Sequence, residues 1–134
     1  MPRAESPLFA RTYDLLRWLI PLTVKFPREQ RFVLAAALQQ SALQMHERLI
    51  EASYSHPSVI IDKLIDVQVE VDKLRHYLRL SHDLELLTTG QYEHAAKSLL
   101  EVGRLLGGWR KSIGRGGIPG DPRTNQSPGS APVE

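Results

Sequence analysis

The sequence predicts an all-α protein, an antiparallel up-down-up-down four-helix bundle, on three observations. Apolar residues recur at three- and four-residue steps over most of the chain, which is the period of one helix face. Helix-breaking and capping residues gather at Pro21 with Pro27, at Tyr54 to Pro57, and at Thr88, where four helices need connections. No segment reads as a strand.

The first helix is expected over residues 8–25, with Leu16, Leu19 and Ile20 inward and Pro21 kinking it or ending its regular part. Pro27 suits the first turn of a second helix over 28–53, whose core positions read as Phe32, Ala35, Leu38, Ala42, Met45 and Leu49. After the turn at 54–57, a third helix over 58–87 carries the cleanest pattern. Ile60, Leu64, Val67, Val71, Leu74 and Leu78 alternate by four and three, the seam of a bundle. Arg75, Arg79 and His82 border that seam on one side, and Asp62, Asp66 and Glu70 on the other. Ile65, Val69 and Leu80 fall away from the seam, so a helix apolar on a second face predicts an oligomer interface there. Thr88 and Gln91 have the spacing of a capping box and open a fourth helix reaching Ser112. Its inner stripe reads as Tyr92, Ala96, Leu99, Val102, Leu106 and Trp109.

A chain of 134 residues with 42% hydrophobic and 24% charged content fits one domain, placed at residues 8–113 between a flexible start at 1–7 and a tail at 114–134. That tail holds five glycines and four prolines with almost nothing apolar, too little to offset its ordering entropy. The absence of cysteine excludes disulfides and thiolate metal sites and points to a cytoplasmic protein. No charged leader precedes an apolar core, and no run approaches the ~18 apolar residues of a membrane span, so no membrane association is expected.

The net charge of +2 conceals an uneven distribution. Residues 47–72 hold six acids against two bases, a balance of −4, whereas 73–115 hold eight bases against four acids, a balance of +4. Such polarity bears on partners and encounter rates. Lys97, Arg104 and Lys111 recur at seven-residue steps as one stripe. With Arg75, Arg79 and Arg110 they are the candidate binding residues, able to neutralise phosphates or an acidic protein surface, or simply to be solvated. Gly103, Gly107 and Gly108 each cost about 1 kcal/mol inside a helix relative to alanine, so something should approach that backbone closely. Gly103 and Gly107 share a face and suit tight packing within the bundle. Trp18 and Trp109 are expected in the core rather than as stacking platforms.

Catalytic constellations are thin. His82-Asp83 and Glu93-His94 are adjacent pairs pointing about 100° apart on a helix. His46-Glu47 is followed by Ile50 where a zinc helix needs a second histidine. Asp62, Asp66 and Glu70 repel at their spacing and read as a solvated or partner-paired stripe. Gly114-Arg115-Gly116-Gly117 lacks the flanking strand and helix of a phosphate loop. No enzyme activity, metal or cofactor is expected.

Four features together carry a resemblance: the block Glu101-Val102-Gly103-Arg104-Leu105-Leu106-Gly107-Gly108-Trp109, the upstream Gln91-Tyr92-Glu93, the pairs Leu74-Arg75 and Leu78-Arg79, and Tyr13-Asp14 with Pro27. Over residues 9–112 the chain resembles the small four-helix-bundle proteins related to ribosomal-RNA intervening-sequence proteins, and within them the accessory variability determinants of diversity-generating retroelements. The resemblance implies a homopentamer of bundles arranged as a barrel, without catalytic activity. It further implies binding of the retroelement's reverse transcriptase and its template RNA, or DNA, in support of mutagenic copying into complementary DNA. Arg75, Arg79 and Arg104 match basic positions of that family, whereas the acidic stretch at 62–72 departs from a uniformly nucleic-acid-coated surface. The alternatives are a bundle of the intervening-sequence class with no polymerase partner, and a purely structural assembly protein.

Overall fold

The computed structural model describes residues 6–114; the remainder of the expected flexible start and tail, Arg115 included, lies outside the described residues. Four helices form, α1 (Pro7–Val24), α2 (Ala36–Ser53), α3 (Ile60–Asp83) and α4 (Thr89–Gly114), and no strand occurs among the described residues. Each helix packs on its neighbours in sequence, and α4 also packs on α1, so the four enclose one core. The α2–α3 contact is the most extensive.

The seam expected on α3 is entirely buried, from Ile60 through Leu64, Val67, Val71 and Leu74 to Leu78. Burying each such side chain stabilises by about 2 kcal/mol. That outweighs the roughly 0.5 kcal/mol by which Ile60, Val67 and Val71 disfavour a helix. Leu38, Ala42, Met45 and Leu49 of α2 face this seam, and Leu99, Val102, Leu106 and Trp109 of α4 complete the core.

Several expectations are corrected. Phe32 is 86% exposed rather than buried. The second helix begins as a 3₁₀ turn at Arg28–Gln30 and a π-helical turn at Arg31–Ala35. Ala35 is buried as expected and Leu34 joins it, whereas Phe32, within the π-helical turn, points outward. On α1 the buried residues are Leu8, Phe9, Thr12, Leu15, Leu19 and Thr23, while Leu16 and Ile20 are half-buried. On α4, Ala95 rather than Ala96 is fully buried, and Tyr92 is half-buried. Glu70, expected on a solvated flank, is buried, with Lys73 Nζ 3.3 Å from its carboxylate. Pro21 sits exposed within α1, and three residues later the helix ends in a tight turn where Lys25 N–H bonds the Leu22 carbonyl.

The third helix starts and stops inside its expected 58–87 range. At its end Glu85 adopts φ 64°, Glu85 N–H bonds the His82 carbonyl at 2.9 Å and Leu86 N–H bonds the Ser81 carbonyl at 2.8 Å. This is a Schellman closure with glutamate where glycine is usual. The capping box then opens α4: Gln91 N–H donates to Thr88 Oγ1 at 3.0 Å, and Thr88 N–H donates to Gln91 Oε1 at 2.9 Å.

Candidate functional site

Because α4 is bordered by α1 and α3, its outward side chains share a surface with residues of both helices. Arg75, Lys97 and Arg104, three of the six expected cations, line one solvent-open groove of about 730 Å³ there. The same groove receives Arg11 from α1, Gln68 from α3, and His94, Ser98, Leu100, Glu101 and Gly103 from α4. Arg79 lies outside it, near Asp83 at 4.0 Å, and Arg110 and Lys111 are exposed beyond it near the end of α4.

Two of the three groove arginines, Arg75 and Arg104, are held by carboxylates three residues earlier. Arg104 donates through Nε to Glu101 Oε1 at 3.1 Å and through Nη2 to Oε2 at 2.7 Å, a two-point pair. Arg75 Nη1 donates to Asp72 Oδ1 at 3.2 Å. The hydrogen bond from Arg104 holds the Glu101 carboxyl below its ordinary value, with the charges of Arg104 and Arg11 acting in the same sense. That bond also raises the Arg104 guanidinium. Among the described residues Arg11 and Lys97 have no ion-pair partner. The groove therefore presents two arginines oriented by replaceable carboxylates and two cations ready to meet an anion. Exposed ion pairs of this kind contribute little to folding, and their carboxylates can yield to a phosphate oxygen.

Sequence reasoning missed Arg11 and His94. His94 precedes Lys97 by three residues and Glu101 by seven, so helical spacing alone places it on the groove face. Arg11 joins the groove only through the packing of α1 on α4. The His94 imidazole lies 4.6 Å, centre to centre, from the half-buried Trp18 indole, inclined by 45°.

The glycines differ from expectation. A Cβ at Gly103, Gly107 or Gly108 would meet nothing within 4 Å, so none serves close helix packing inside the bundle. Gly107 and Gly108 face outward, and Gly103 lines the groove. Trp109 is core as expected, whereas Trp18 sits at the core's edge.

The other titratable clusters are structural. His82 approaches Asp83 to 3.7 Å despite their divergent positions, but its Nε2 lies 3.2 Å from Thr89 Oγ1 and its ring stacks on Tyr92 at 4.8 Å, joining the end of α3 to the start of α4. His46 Nδ1 lies 2.8 Å from Thr12 Oγ1, linking α2 to α1, and burial pushes its pKa down. Among the described residues no three His, Asp or Glu side chains converge as metal ligands. No helix of the described residues is long and apolar enough to cross a membrane.

No curated protein matches this chain. The family described as bAvd-like matches residues 8–113, which contain all four core-forming helix seams and every groove residue. The chain therefore belongs to the bAvd-like family, the accessory variability determinants of diversity-generating retroelements.

Proposed function

We propose that this protein is a non-catalytic, cytoplasmic accessory factor that binds the reverse transcriptase and template RNA of a diversity-generating retroelement and supports mutagenic complementary-DNA synthesis. The observation that carries the reading is the convergence of Arg11, Arg75, Lys97 and Arg104 on one groove in a chain of this family. Cations gathered on one face are the electrostatic footprint of a phosphate-backbone partner. Phosphate contacts position a nucleic acid without reading its sequence, which suits a factor that holds a template in place. No cofactor or metal enters this role.

Assembly multiplies the effect. Ile65, Val69 and Leu80 are 43%, 49% and 45% exposed on one side of α3. They supply an apolar interface through which antiparallel up-down-up-down bundles form a homopentameric ring. Several grooves in one ring raise the effective concentration of contacts along a single RNA.

The test is co-purification of the full chain with the reverse transcriptase and with template RNA. Arg75→Glu, Lys97→Glu and Arg104→Glu together should abolish RNA capture, while Arg79→Glu, outside the groove, should reduce it only slightly. Equal loss from both variants would place binding elsewhere, and no capture by the unaltered chain at low salt would favour a purely structural assembly protein.

A further inference from the structure

We propose that the groove takes single-stranded rather than duplex RNA, with one base stacked on the His94 imidazole. The inference rests on the nucleic-acid reading of the same groove and adds what the groove recognises. A duplex offers a protein surface mainly its phosphates and sugars, so a groove built for duplex needs little beyond cations. This one carries more. Leu100, 70% exposed, and the exposed His94 ring lie in it among the cations. The Trp18 indole, packed against the core, lies 4.6 Å from the imidazole, centre to centre, and tilted by 45° to it, so one side of the ring is supported. A planar ring held in place beside a cationic track is the arrangement on which unpaired bases stack while the backbone follows the charges. Gln68 and Ser98 add hydrogen-bonding groups within the same walls.

The experiment is fluorescence anisotropy on the full chain with a labelled single-stranded RNA of about 12 nucleotides, and with the same strand annealed to its complement. The single strand should bind more tightly than the duplex. His94→Ala should weaken single-strand binding about fivefold or more while leaving duplex binding and the salt dependence unchanged. His94→Tyr should restore single-strand binding to within about twofold of the unaltered protein, because any flat ring can stack. Duplex binding as tight as single-strand binding, a His94→Ala effect equal on both, or failure of tyrosine to restore it overturns the inference. Arg104→Glu tests the underlying reading separately: it should weaken both ligands. If it weakens neither, or the unaltered protein binds no RNA, the groove itself is misassigned and the inference falls with it.

Discussion

On the proposed role, the charge of the groove sets how RNA binding should respond to salt. Four cations line it, Arg11, Arg75, Lys97 and Arg104. Each phosphate neutralised on a single strand releases counterions and contributes about −0.7 to the slope of log affinity against log salt, so one fully engaged groove predicts about −2.8. Raising salt from about 50 to about 200 mM should then cost about fiftyfold in affinity. If Asp72 and Glu101 kept their hold on Arg75 and Arg104, only Arg11 and Lys97 would count, and the slope would fall to about −1.4. The replaceable, exposed character of those pairs favours the steeper value. Lys97→Ala should make the slope shallower by about 0.7, reducing the loss over the same interval to about twentyfold. Anisotropy titrations with an oligonucleotide short enough to occupy one groove measure this directly. A slope shallower than about −0.7, or one that Lys97→Ala leaves unaltered, refutes the assignment of phosphate contacts to this groove.

Three further outcomes follow from the fold. Glu85→Gly should stabilise the protein by about 1 kcal/mol in denaturant titrations, because glycine adopts the φ of 64° without the clash a Cβ meets there; a stabilisation equalled by Glu85→Ala would contradict this. Thr88→Ala removes the acceptor for Gln91 N–H and should cost about 1 kcal/mol, lowering the melting temperature by about 4 °C. His46, whose folded pKa lies below its ordinary 6.5, gives a pH dependence of defined sign. The unfolded chain takes up the proton first as pH falls, so the His46 contribution is complete above about 6.5 and is lost as pH drops from there through the folded value. Thermal melts should show this decline, and His46→Gln should flatten it.

The chain's helices differ in how far their residues announce them. The α3 seam is regular over about five turns, so its spacing alone identifies every buried apolar residue from Ile60 to Leu78, though not the buried Glu70. Thr88 and Gln91 show a cap whose two hydrogen bonds form as the spacing requires. Phe32 defeats the same reasoning because a π-helical turn breaks the period on which it depends, and nothing in Arg31 to Ala35 marks that turn. The end of α3 is equally unmarked, since Glu85 stands where a glycine would have signalled closure. Of the groove, Arg75, Lys97 and Arg104 are visible as cations on suitable faces. His94 was recoverable from its spacing to Lys97, but Arg11 belongs to the groove only because α1 packs beside α4, a tertiary fact. The outward glycines show the opposite limit. Composition reveals the helix-propensity cost at Gly103, Gly107 and Gly108, but only the rotation of α4 shows that it gains no packing inside the bundle.

In the proposed role, this bAvd-like chain joins a reverse transcriptase to its template RNA through the cationic groove. The most direct measurement is capture of both partners from cells producing them with the full chain, comparing the unaltered protein with the Arg75→Glu, Lys97→Glu, Arg104→Glu triple variant. The proposed role predicts that the unaltered protein retains polymerase and template RNA together and that the triple variant loses the RNA while remaining folded. Retention of the RNA by the folded triple variant would contradict it.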